Sequence, residues 1–332
     1  MIFNKETWKK VGKGFLVYDC CFRDPDLQAF VLVENTQEDR PPLARFLYTY
    51  NDEVDPKERY FVMQQEGFNY ERIACRPQVE NEVIAVGMGE KPLYYNADRC
   101  EVEEKLPCFL DSTVIGSFAI QICRVGDSLI AVGDPRRAWK RIGKNDWQDL
   151  TAQLQLSKEI LNGVATEDTS WNDCDGISDS NMYVVGGFGE VWFFDGDTFS
   201  QCDFPSNELL YNVCCDDEGQ VYIGGNLGRL WKGSHDAWEL ISEHEFSVNW
   251  RDIKFFKGRL FLGSDYGLWE LVDGEVVPAN IPEKVRTCAG RCIDISYDKD
   301  YMLTGGSTGA AVFDGQDWKV LFESMALEKD GE

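Results

Sequence analysis

The chain has 332 residues and a formal net charge of −25. A hydrophobic fraction of 43% argues against a disordered protein. The acidic balance argues against nucleic acid or anionic lipid as a partner, since both want a basic face.

No window approaches the roughly 18 consecutive apolar residues of a membrane-spanning helix. The opening MIFNKETWKKVG lacks the apolar core of a signal peptide, so a cytoplasmic protein is expected.

In chain order, the segment FLVYDCCFRDPDLQAFVLVEN from Phe15, then ARFLYTYN and RYFVMQQ, reads as four strands with long insertions, among them NTQEDRPPLA. YERIACRPQVENEVIAVGMGEKPLYYNADRCEVE from Tyr70 is a second unit. AIQICRVGDSLIAVGDPRRAWKRIGKNDWQDL from Ala119 is a third. Four near-copies follow: VVGGFGEVWFFDGDTF from Val184, VYIGGNLGRLWKGSHDAW from Val221, LFLGSDYGLWELVDGEV from Leu260 and MLTGGSTGAAVFDGQDW from Met302. Their first strands, marked by Cys174, Val213, Asp252 and Cys292, are spaced by 39, 39 and 40 residues. Repetition at this period, with only strand signals inside the unit, predicts an all-β chain. The expected architecture is a single seven-bladed β-propeller domain over 1–332, built from four-stranded antiparallel blades. Blades are expected to begin near 15, 70, 119, 171, 211, 250 and 290.

Within each unit the strands can be lettered a to d. The glycine pairs closing strand b (Gly186–Gly187, Gly224–Gly225, Gly305–Gly306) suit close backbone approach. The tryptophans opening strand d (Trp147, Trp238, Trp318) offer apolar bulk for packing between blades. A ring must close, because open edges invite aggregation. The N-terminal ETWKKVG is similar to the strand-d segment QDWKVLF of the last unit, so the termini are expected to meet in one blade.

The units FLGSDYGLWELVDGE and YIGGNLGRLWKGS resemble bacterial β-propeller repeats of the sensor-ectodomain type. They are more loosely similar to WD-repeat and kelch propellers. The resemblance implies fold, not activity. The Gly-His and Trp-Asp pairs of WD-repeats and the Asp-box of sialidase blades are both missing, so no site residues carry over.

Of the 12 cysteines, Cys20, Cys21, Cys75, Cys123, Cys174, Cys214, Cys215 and Cys292 fall on first strands, where a small apolar side chain packs well. No CxxC pair occurs, and the two histidines, His235 and His244, lie away from these strands. No metal and no cofactor are expected. GxSxG, HExxH and GxxxxGK[ST] are absent. The Gly-rich VGGFGEV from Val185 recurs as a strand bend, not a phosphate loop.

Strand parity sorts the turns onto two faces. The a–b and c–d turns carry Asp195, Asp197, Asp216, Asp217, Asp236, Asp273, Asp314 and Asp317, an acidic rim. Asp98, Asp146, Asp179, Glu218, Asp298 and Asp300 add to it. Asp-Gly is a hairpin signal in its own right, yet the collective negative potential remains. The b–c and d–a turns carry Arg136, Arg137, Trp171, Phe188, Trp250, Arg251, Tyr266 and Arg291, residue types enriched at binding hot spots. The reading that follows is a non-catalytic cytoplasmic propeller, monomeric by itself, that binds a basic protein. Its most concrete form is an immunity protein neutralising a toxin or effector, with charge speeding capture. The alternatives are a propeller hydrolase or lyase with paired carboxylates at its channel mouth, and a scaffold subunit.

Overall fold

Each repeat folds into its own sheet because its apolar strands are short and are separated by Gly, Asp and Asn turns that favour hairpins. In the computed structural model, residues 1–49, 55, 58–65, 67–77, 79, 82–89, 91–96, 100–108, 116–163, 168–243 and 248–329 are described. Seven four-stranded sheets occur in chain order, each drawn from one continuous stretch. The chain is an all-β, seven-bladed β-propeller. Its inner strands begin at Phe15, Arg72, Phe118, Trp171, Leu210, Asp252 and Cys292, within two residues of the expected starts.

The blades pack as two compact units. One comprises Met1–Val83, Tyr95–Cys100 and Lys254–Glu332, and the other Ile84–Tyr94 and Glu101–Ile253. No described helix is long and apolar enough to cross a membrane.

In the first unit, the blade from Phe15 and the blade from Cys292 share a core of Phe22, Phe30, Leu32, Leu303 and Phe322. The termini meet on it. The Ile2 N–H donates to Leu321 O at 2.7 Å, on the outer strand Trp318–Glu323 of the last blade. That outer strand comes from the C-terminal end of the chain. ETWKKVG is not a strand: Lys5–Val11 forms helix α1, capped reciprocally by Asn4 and Thr7. A capping box nucleates a helix here, and Thr7, Trp8 and Val11 form its buried stripe. Trp8 donates its ring N–H to Glu328 at 3.0 Å, on a C-terminal helix over Ser324–Glu328.

In the second unit, the inner strands Phe118–Val125, Trp171–Ser178 and Leu210–Cys215 lie side by side. The cysteines expected there are in place, and Cys123, Cys174 and Cys214 are buried. Gly186 closes a second strand as the sequence predicts. A Cβ at Gly186 would stand 2.0 Å from Ser170 O, so only glycine fits. Trp238 also behaves as expected, meeting Tyr183 of the preceding blade edge-on at 6.2 Å.

Candidate protein-binding faces and the inner-strand carboxylates

The acidic turns are built by their own side chains. Asp195 Oδ1 accepts the N–H groups of Asp197 and Thr198 at 2.9 and 2.8 Å. Asp216 Oδ1 accepts those of Glu218 and Gln220, both at 2.9 Å. Asp314 Oδ1 accepts those of Gln316 and Asp317 at 2.8 and 2.7 Å. Bonds to backbone donors favour the ionised form and hold the Asp195 and Asp314 carboxyls below their ordinary range. The Ser296 hydroxyl does the same for Asp298. Asp273 takes a left-handed conformation (φ 52°) beside Gly274, the Asp-Gly hairpin expected. Asp236 lies in the same class of turn, and its carboxylate accepts the Asp203 N–H at 2.8 Å. Turn chemistry thus places the aspartates. His235 sits exposed in a c–d turn, while Asp98 and His244 lie outside the described residues.

The opposite set of turns is sorted more severely by burial. Phe188 and Tyr266 project from b–c turns and are 55% and 81% exposed. Phe188 is flanked by Gly187 (φ 45°) and Gly189 (φ 74°), a left-handed pair that pushes the ring outward. Arg251 is exposed, and Arg291 is half-buried at the start of an inner strand.

Four residues expected on this face are not displayed there. Trp171 and Trp250 are buried, their rings filling the space between blades. Arg137 is buried beside Asp149 at 3.7 Å and donates to Thr151 O, so its burial is structural. Arg136 occupies its turn (φ 50°), but its guanidinium is clamped on Glu190. Trp171 and Arg137 are not turn residues but open the strands Trp171–Ser178 and Arg137–Gly143, and the sequence does not show which way the four side chains point. Sequence reasoning missed the exposed Met88 and Leu227, each at the equivalent turn tip beside glycine. Leu227 stands at φ 57°, an unfavourable backbone conformation for a leucine, and is exposed.

The inner strands carry acids that sequence reasoning did not single out. Asp173 Oδ2 accepts the Val213 N–H at 3.0 Å, and Asp175 Oδ2 accepts the Cys215 N–H at 2.8 Å, both from the next blade. In the other unit, Asp294 Oδ2 accepts the Phe22 N–H at 2.7 Å, and Asp19 Oδ2 accepts the Ile73 N–H at 2.8 Å. These carboxylates stitch neighbouring inner strands together. Each accepts a backbone N–H of the neighbouring blade.

The fold defines the chain as a seven-bladed β-propeller with acidic turns and exposed aromatic turn tips. No family model matches the sequence. The chain is 27% identical over 190 residues to the immune protein Tsi7 of Pseudomonas aeruginosa, a match spanning 57% of this chain and 59% of that protein's length. Solved structures agree on the fold. The WD40 β-propeller domain of Doa1 aligns with a TM-score of 0.59 at 14% identity, over 88% of this chain and 90% of that one. YCF48 bound to a D1 peptide gives 0.61 at 14% identity, over 92% and 93%. The β-propeller domain of the trilobed protease from Pyrococcus furiosus gives 0.53 at 11% identity, over 94% and 97%.

Proposed function

We propose that this chain is a non-catalytic immunity protein that binds and neutralises a basic toxin or effector protein in the cytoplasm. The observation that carries the reading is the similarity to the immune protein Tsi7 across 190 residues. The net charge of −25 supports a basic partner, because complementary potentials raise association rates well above those of neutral surfaces. The rim aspartates Asp195, Asp197, Asp216, Asp217, Asp236, Asp273, Asp314 and Asp317 supply the steering field. Docking falls to the b–c and d–a turns, through Phe188, Leu227 and Arg251 within one compact unit and, separately, Tyr266 and Arg291 within the other. Apolar and arginine side chains that desolvate on contact hold a complex better than rim charges do.

The test is capture followed by protection. The tagged full chain is expressed in its own host, and partners are recovered at low ionic strength and identified by mass spectrometry. The expected result is one strongly basic protein, bound one to one, that is toxic when expressed alone in bacteria and harmless when co-expressed with this chain. An acidic or neutral partner, or a bound partner whose toxicity is unchanged, overturns the reading.

A further inference from the structure

Tyr18, on the inner strand of the first blade, sits among cations and another ring. The Arg72 guanidinium lies 4.9 Å from its ring centroid and that of Arg291 lies 5.2 Å away. The Tyr70 ring meets it at 5.3 Å. Tyr18 and Arg72 lie on the inner strands of the first and second blades and Arg291 immediately precedes that of the last, all within one compact unit. Two arginines on one tyrosine are conspicuous in so acidic a chain. Each has a carboxylate nearby: Asp19 lies 3.6 Å from Arg72 and Asp265 lies 3.8 Å from Arg291. Asp19 is committed to the Ile73 N–H.

Hydrogen-bond accounting makes the cluster more than a brace. Among the described residues, the Arg291 guanidinium donates no hydrogen bond, and the hydroxyls of Tyr18 and Tyr70 make none. The Arg291 side chain is nonetheless only 21% exposed and the Arg72 side chain 19%. A guanidinium carries five donors in a planar fork, and partial burial strengthens whatever they bind. The stack on Tyr18 holds that fork in place before any ligand arrives, which lowers the ordering cost of binding.

We propose that Arg291, Arg72, Tyr18 and Tyr70 form a carboxylate-binding subsite. A carboxylate is planar and matches the guanidinium fork with two parallel bonds. Asp19 and Asp265 already balance the two guanidinium charges, so a monoanion is accepted where a dianionic phosphate meets repulsion from them and from the acidic whole. The tyrosine rings give the carbon next to the carboxylate an apolar flank. The subsite does not depend on the immunity reading, and its test needs no toxin.

The experiment is an NMR titration of the full chain that follows arginine Nε–H resonances. The probes are N-acetylglutamic acid amide, with only a side-chain carboxylate, and N-acetylalanine, with only a terminal one. N-acetylglutamine amide is the neutral control, and orthophosphate is the competing anion. Saturable shifts with a carboxylate probe and none with the neutral control are expected. Whichever carboxylate binds tighter identifies the source, acidic side chain or chain terminus. Arg291→Gln is expected to weaken binding by about tenfold or more, the worth of a charge-assisted hydrogen bond. Tyr18→Phe keeps the ring and the fold and is expected to weaken binding by about tenfold, one hydrogen bond to a charged acceptor. Linear, unsaturating shifts overturn the proposal. So does unchanged affinity in both variants, or tighter binding of orthophosphate than of either carboxylate.

Discussion

Asp173 on the inner strand of one blade accepts the Val213 backbone N–H of the next at 3.0 Å, and its other oxygen takes the Cys123 thiol of the preceding blade at 3.1 Å. One side chain thereby joins three consecutive inner strands. Removing it leaves a buried N–H with no acceptor, which costs about 1–3 kcal/mol. Asp173→Ala is expected to lower the unfolding free energy by that amount in urea denaturation. Asp173→Asn, which keeps a carbonyl acceptor, is expected to lose less. Equal losses in the two variants would contradict the stitching role.

A second buried pair makes a sharper demand. Arg141 and Glu103 are both fully shielded, joined by two hydrogen bonds, and Trp147 adds its ring N–H to Glu103 at 3.3 Å. Deleting one partner strands the other charge in the interior. Glu103→Ala is expected to destabilise by about 3–5 kcal/mol, whereas Glu103→Leu with Arg141→Met is expected to recover much of the loss. Chemical denaturation of the three chains checks this, and a double variant no more stable than Glu103→Ala would reject it.

Much of this molecule is legible in the sequence because the repeat encodes local rules. Gly186 is needed where a second strand meets Ser170 O, and Asp195 and Asp314 make their own turns, so both could be read from a few neighbouring residues. The interblade bonds of Asp19, Asp173 and Asp294 were not legible. Their partners are 40 to 272 residues away in the chain, and no spacing rule connects an acid to a backbone amide across a blade boundary. α1 was misread for a related reason. ETWKKVG has the composition of an outer strand, and only the cap formed by Asn4 with Thr7 distinguishes it. The displayed face was half legible: Phe188 and Tyr266 stand where the turns place them, but burial withdraws Trp171, Trp250 and Arg137.

Stability depends on pH in two opposite ways. Burial pushes the Glu71 carboxyl up to about 7 from 4.5, so the folded chain binds a proton there more tightly than the unfolded one. That contribution is complete below about pH 4.5 and is lost as pH rises to about 7. Glu71→Gln is expected to stabilise the chain above pH 7, by up to about 3 kcal/mol, and to change little near pH 4. Asp314 behaves in reverse. Its folded value is depressed, so its contribution is present above the ordinary carboxylate range and vanishes as pH falls through the folded value. The deficit of Asp314→Ala is therefore expected to shrink under strongly acidic conditions. Thermal melts across pH check both signs.

The two faces can be separated by rate and by lifetime once the partner is in hand. Rim charges act at long range, so Asp195→Asn with Asp197→Asn, Asp314→Asn and Asp317→Asn is expected to slow association and flatten its salt dependence while leaving dissociation nearly unchanged. The turn tips act at contact. Phe188→Ala or Leu227→Ala is expected to speed dissociation, with a loss of about 2 kcal/mol, or roughly thirtyfold, if the residue is a hot spot. Neither tip supports a core: Phe188 is 55% exposed and Leu227 is 46% exposed, so both variants should melt like the parent chain. Surface plasmon resonance at two salt concentrations reads both rates. A rim variant that dissociates faster while the tip variants bind normally would move the docking surface to the acidic face. That outcome would make the aspartates contacts and not only a field.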